Sequence, residues 1–262
     1  MRALPIALAL LAAPTLLPAC GARSSRAERD ETTGGSERAA PPPTSAEPSQ
    51  PTQIIASTAP PTLSEAQIAS DAADPALVVD PSSAWVVVPS FRIAIQMPEG
   101  WYWTNADELI AQGARTGQTL GSEAEADLRR GLQAAANRWR EGDTEHAGHL
   151  IPSARVLLGP GGLPRGARLQ PDACDALLLP QLRQLYPDAR ATRGTTLQIA
   201  GRESARCTIT YTVPAPHATM PASSEVALIF GESHVIMIAS VGAPEDPVAD
   251  VLDAMLASIR PL

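Results

Sequence analysis

The 262-residue sequence contains no lysine; all 20 of its basic residues are arginine. Alanine and proline are abundant alongside, so the coding bias of a GC-rich bacterial genome explains the exchange and gives no arginine a special role. Positive charge is also in deficit. The net charge of -8 argues against a nucleic-acid binder, because affinity for phosphate comes mainly from a positive surface. Cysteine is scarce: Cys174 and Cys207 have no Cys or His close by in sequence, which argues against a reactive or metal-bound thiol. No catalytic constellation and no membrane-spanning run beyond the N-terminus is visible, so location and shape are more legible than activity.

The first residues read as an address. Arg2 precedes the apolar run Ile6 to Leu17, followed by Leu17-Pro18-Ala19-Cys20-Gly21. A charge, a short apolar stretch and a small residue before the cut describe an export signal, too short and proline-broken to span a bilayer. The ending resembles the bacterial lipobox, although Pro18 stands where a small residue is usual. That resemblance implies removal of residues 1–19 and acylation of Cys20, with several acyl chains holding the chain on a membrane. It places the protein in the cell envelope, on the exported side, with the outer membrane favoured over the inner. The competing reading is an ordinary secretory signal cut near Ala19 or Ala22. Export also bears on the remaining thiols. With Cys20 lipidated, Cys174 and Cys207 are the one intramolecular pair left in an oxidising compartment, either bridged or kept as two buried thiols.

Residues 20–83 are rich in Ser, Thr, Ala, Pro and Glu, with Pro41-Pro42-Pro43 and Pro60-Pro61. Such a composition buries too little apolar surface to offset the entropy of ordering, and predicts a disordered tether spanning on the order of 40 Å. Within it Ser64 to Ile68 starts a short helix, and Ala76 to Val79 lies against the folded domain.

That domain is expected over residues 84–262. Phe91, Ile93, Ile95 and Met97 alternate with Arg92, Ala94 and Gln96 as in a half-buried strand, which Pro98 and Gly100 end. Asn105 caps a brief helix to Gln112. Ser122 and Glu125 have capping-box spacing, and Leu128, Leu132, Ala135 and Trp139 form one stripe, predicting a helix over Ser122 to Glu141. Ala154 to Leu158 reads as a buried strand. Asp172 caps a helix through Leu185, kinked or restarted at Pro180. Thr195 to Ile199 and Glu203 to Val213 read as strands turning at Ala200-Gly201, and Pro214 to Pro221 as a surface loop. Glu225 to Phe230 and His234 to Val241 form a hairpin. Val248, Val251, Leu252, Met255, Leu256 and Ile259 stripe a helix over Pro244 to Ile259 that must lie on a sheet. This order predicts an α+β domain with a mainly antiparallel sheet.

Phe91-Arg-Ile-Ala-Ile-Gln-Met-Pro-Glu-Gly-Trp101, the turn Ile199-Ala-Gly201 before a long strand, and Ile238-Ala-Ser-Val-Gly-Ala-Pro244 leading to a helix that ends Leu256-Ala-Ser-Ile259 resemble the Mog1/PsbP-like domain. The resemblance covers residues 84 to 262 and implies an α-β-α sandwich. It also implies an accessory or partner-binding role more often than catalysis, and it carries over no catalytic residues and no cofactor. The helix around Leu132 and the glycine-rich stretch Gly159 to Gly166 depart from it.

Individual motifs stay below the threshold of chemistry. His146-Ala-Gly-His149 beside Glu145 offers metal-type ligands but no third one nearby, and reads as a solvated loop. Ser233-His234 imitates part of a nucleophile elbow, yet a strand comes after it where a helix is required. The glycine-rich stretch lacks the Lys-Ser or Lys-Thr of a phosphate loop. Trp101, Tyr102 and Trp103 are the candidate binding surface, with both tryptophans in the core as the competing reading. The sequence therefore points to a lipid-anchored envelope protein whose non-catalytic domain binds a protein partner. The alternatives are an exported hydrolase using His234 or His217 with a carboxylate, and a carrier of a small ligand.

Overall fold

The computed structural model of the chain describes residues 52–55, 59–60, 64, 76–115, 121–140, 143–146, 148–164, 166–170, 172–192, 194–214 and 219–262. In chain order the strands are β1 (Val78–Val79), β2 (Trp85–Val88), β3 (Ile93–Gln96), β4 (Tyr102–Trp103), β5 (Ala135–Asn137) and β6 (Ser153–Pro160). They continue with β7 (Arg190–Ala191), β8 (Thr195–Ile199), β9 (Arg202–Pro214), β10 (Thr219–Phe230), β11 (His234–Gly242) and β12 (Arg260–Pro261). The helices are α1 (Ala106–Arg115), α2 (Ser122–Leu132), α3 (Ala173–Leu177), α4 (Leu179–Leu185) and α5 (Val248–Ala257).

The domain is α+β, and its strand pairs are antiparallel. One sheet runs in the order β4-β5-β6-β11-β10-β9-β7, with β8 also pairing β9; a smaller one runs β1-β2-β3-β12. Strands β9 to β11 carry long apolar runs because both faces of the large sheet are covered. Ala205, Cys207, Ile209, Tyr211 and Val213 point to one face, where Cys174, Leu178, Leu179, Leu182 and Tyr186 of the α3–α4 segment pack on them. Ala227, Ile229, Ile236 and Ile238 point to the other, against Leu252 and Met255 of α5 and Val86, Val88 and Ile95 of the small sheet. The sheet is thus the middle layer. A disulfide joins Cys174 of α3 to Cys207 of β9, with Cα atoms 6.4 Å apart.

Polar side chains in these layers are tied together. On the first face Arg155 is buried near Tyr186 and Tyr211, whose rings stack at 4.6 Å, and the Tyr211 hydroxyl lies 3.0 Å from the Ser224 hydroxyl. Burial pushes both phenol pKa values up, and Tyr211 adds to the rise at Tyr186, while the Arg155 charge opposes it. On the second face Arg206 donates to Glu225 at 3.2 Å and also to Asp253, which ties the sheet to α5.

Several expectations are corrected. The helix expected over Ser122 to Glu141 stops at Leu132, and Ala135–Asn137 is a strand, because its backbone pairs with β4 on one side and β6 on the other, with Ala135 and Ala136 buried there. Gly121, not Ser122, stands at its N-cap, without a side-chain cap. The Ser122–Glu125 spacing therefore does not form a capping box. The first strand begins after a 3-10 turn at Pro89–Phe91, and Trp85–Val88 is a strand of its own. Pro180 falls in the first turn of α4, so the helix restarts there. Strand pairing extends into the expected loop as far as Pro214 and from Thr219 on. The N-terminal boundary also moves. Ile54 is fully buried; its N–H donates to the Trp101 carbonyl at 2.7 Å and its own carbonyl accepts from Gly100 at 3.0 Å. Leu77 is buried and β1 pairs with β2, so Ala76 to Val79 lies against the domain as expected. The segment expected as a tether therefore supplies core side chains well before residue 84. Its expected short helix at Ser64 to Ile68 lies almost wholly outside the described residues, as do Cys20 and His217.

Candidate functional site

The surface role expected for Trp101-Tyr102-Trp103 does not survive for the indoles. Trp103 donates its backbone N–H to the Thr52 carbonyl, and β4 is held between β5 and residues 52–54, which turns both tryptophans into the second core. Tyr102 points the other way and is half-buried, with the Arg140 guanidinium 4.8 Å from its ring centre. One aromatic flanked by a cation is left of the three.

The other sequence candidates are scattered. Asp143, Glu145 and His146 bring their ligand atoms within 4.8 Å of one another, but His149 is not in the group. His146 stacks on Trp139 at 4.0 Å and pairs with Asp143 at 3.3 Å. Ser233 does reach His234: its hydroxyl lies 2.8 Å from Nδ1, closer than adjacency along the chain suggested. The pair sits at a hairpin tip, and among the described residues no carboxylate is bonded to His234, so nothing orients the ring as a general base. The glycine-rich stretch is a packing device. A Cβ on Gly162 would lie 2.4 Å from the Glu232 carbonyl oxygen, and the amides of Gly161 and Leu163 are spent on the carbonyls of Ser233 and Gly231. Those amides hold a neighbouring turn in place of a phosphate.

What sequence reasoning missed is a groove of about 760 Å³ where the two sheets and the end of α5 meet. One wall is the β8–β9 turn. Ala200 and Gly201 both take positive φ, 50° and 72°, the backbone that a two-residue hairpin needs for its strands to keep their twist. The opposite wall is Arg92, also left-handed with φ 54°, which ends the Pro89–Phe91 turn and turns the chain into β3. Ala200 and Arg92 are the non-glycine residues with positive φ among those described, and both line this groove. Strain of this kind is held only where the surroundings enforce it, and it gathers at functional sites. The C-terminus closes a third side: Leu262 donates its N–H to the Arg92 carbonyl at 3.1 Å, and β12 pairs with β3.

The chemistry of the groove comes from its lining. Leu197, Ile199, Leu256 and Ile259 make an apolar floor, and Arg92 and Arg202 supply two guanidinium groups. Arg202 is held in place over the Phe91 ring, 4.7 Å from its centre. Among the described residues neither arginine has a carboxylate within ion-pair reach. Among the described residues the lining holds no serine, cysteine, histidine or acid, so those residues present contact and positive charge but no nucleophile or proton-transfer group. Arg92 and Arg202 lie far apart in the chain, and only the fold brings them together. The one trace in the sequence is the Ala200-Gly201 turn.

No protein-family model matches the chain, and no curated protein matches it. Solved structures do. LpqN, involved in cell envelope biogenesis of Mycobacterium tuberculosis, is 10% identical, with a TM-score of 0.37 over 64% of this chain and 81% of that one. The Ran-binding protein Mog1p of Saccharomyces cerevisiae is 14% identical, with a TM-score of 0.34 over 65% of this chain and 90% of its own. The PsbP protein of the cyanobacterium Synechocystis is 10% identical, with a TM-score of 0.31 over 49% and 82%. Mog1p and a PsbP are thus among the structures to which this chain is similar.

Proposed function

We propose that the chain is a lipid-anchored protein of the bacterial cell envelope, held by acyl chains on Cys20 at the exported side of the outer membrane, and that its domain binds another protein without catalysing a reaction. The observation that carries the binding half is the groove: apolar floor, two guanidinium groups, and a lining without nucleophile or general base. Such a surface recognises and does not transform. The anchoring half is supported by the Leu17-Pro18-Ala19-Cys20 pattern and by the disulfide between Cys174 and Cys207, since such bonds persist in exported proteins. No helix among the described residues is long and apolar enough to cross a membrane.

The test is fractionation with mass spectrometry of the mature N-terminus. The mature chain should begin at an acylated Cys20 and sediment with membranes, and Cys20→Ser should release it to the soluble exported fraction. A chain found in the cytosol, without lipid and still beginning at Met1, would overturn the proposal. A hydrolase reading would require His234→Ala or His217→Ala to abolish an esterase or amidase activity that the purified protein actually shows.

A further inference from the structure

Resting on that partner-binding reading, we infer that the groove is a docking site for an extended, acidic segment of a partner protein, which adds a strand to the free edge of β8. The apolar floor and the two arginines alone would suit several ligands. The strand edge decides among them. β8 pairs with β9 through Thr195↔Arg206 to Ile199↔Arg202, and β7 lies end to end with it on the same side of β9, so the other edge of β8 is open among the described residues.

Register fixes which groups face outward. Ile199 and Arg202 flank a two-residue turn and form a hydrogen-bonded pair, so Leu197 and Thr195 also turn their amides toward β9. The N–H and C=O of Thr196 and Gln198 therefore point away from the sheet, and among the described residues nothing accepts from or donates to them. An exposed row of this kind is a template for another strand, and natural proteins usually blunt it with charge, proline or a bulge. None of these devices occurs in Thr195-Thr196-Leu197-Gln198-Ile199, whose one charged neighbour at the turn, Arg202, lines the groove itself.

A strand added there would alternate its side chains. Because Ile199 pairs directly with Arg202, the side chains of Leu197, Ile199 and Arg202 share one face, so carboxylates in the set lying over that face would meet Arg202 and Arg92 while the other set faces away. The rest of the surface supports this charge choice. The chain carries a net -8, so a positive groove on it selects for acidic partners by contrast with everything around it. Arg202 is mounted over the Phe91 ring and donates to the Phe91 carbonyl at 3.5 Å, which holds its charge at the groove before a ligand arrives, as a pre-organised site requires.

The test uses the mature chain from residue 20 on with Cys20→Ser, and three probes: acetyl-Val-Asp-Val-Glu-Val-Asp-amide, the same peptide with arginine at its acidic positions, and phosphatidylglycerol vesicles. The acidic peptide should bind, more weakly as salt rises, and the amide resonances of Thr196 and Gln198 should shift. The double variant Arg92→Glu/Arg202→Glu should weaken binding by about tenfold. Thr196→Pro, which removes an outward N–H without touching charge, should do so as well. If charge reversal disturbs folding, Arg92→Gln/Arg202→Gln serves in its place.

Absence of binding by the acidic peptide, equal binding of the arginine peptide, or indifference to both substitutions overturns the inference. So does arginine-dependent capture of the vesicles without capture of the peptide. In cells, a photo-crosslinker at position 198 separates this inference from the reading beneath it. A partner captured from other surfaces but not from 198 removes the groove and leaves partner binding standing. No partner from any surface removes both.

Discussion

Breaking the bond between Cys174 and Cys207 should cost the domain a calculable share of its stability. The two residues are 33 apart in sequence, and the loop they close is released in the unfolded chain when the bond is reduced. With that loop length, the chain-entropy relation gives about -12.5 cal/mol/K, or about 3.7 kcal/mol at 25 °C. For a domain of this size that corresponds to a fall in Tm of roughly 7–15 °C. The cleanest comparison is the same sequence unfolded in urea with and without reductant, because replacing the cysteines would also remove two buried sulfur atoms from the first core. Fluorescence of the buried Trp101 and Trp103 reports the transition. Reduction should also raise the urea m-value, since an uncrosslinked chain exposes more surface on unfolding. A loss below about 1 kcal/mol with an unchanged m-value would refute the loop-closure argument.

Other outcomes come from the packing. Ile54→Ala should destabilise by about 2–5 kcal/mol, the range for a fully buried isoleucine, and a chain shortened to begin at Ala84 should lose more; urea unfolding measures both. Removing Arg206 as Arg206→Met leaves the buried Glu225 carboxylate without its cation and should cost roughly 1–3 kcal/mol, part of which Glu225→Gln restores in a double-mutant cycle. The raised phenol values of Tyr186 and Tyr211 give a stability contribution that is complete below the ordinary phenol range and is lost as pH climbs above about 10 toward the folded values. Unfolding midpoints measured across that range should therefore fall, and Tyr211→Phe should flatten the fall.

Legibility tracked the range of the interactions. The late strands were readable because Ile209, Tyr211 and Val213, then Ile236 and Ile238, alternate along single elements, and a stripe such as Leu252 and Met255 needs only one helix to appear. The helix expected through Trp139 failed for the complementary reason. Ala135 and Ala136 favour a helix locally, but pairing with a strand on each side overrides that preference. Ile54 was invisible because the pair Ile54-Ile55 shows no periodicity within a stretch rich in proline and polar residues; nothing local shows which of the two isoleucines will find Trp101. The groove is the extreme case. Arg202 and the Phe91 carbonyl it approaches are 111 residues apart, and each arginine by itself looks like ordinary solvated surface.

The sequence by itself determined the class of fold and the absence of lysine, and it carries the motif behind the proposed export address at Cys20, because composition, periodicity and short motifs are properties of neighbouring residues. Tertiary structure alone decided that both tryptophans are core, that a segment before residue 84 belongs to the domain, and that two distant arginines face one apolar floor beside an open strand edge. Those are facts of long-range packing. They depend on which surfaces are left uncovered once every apolar face has found a partner, and no window of sequence contains that.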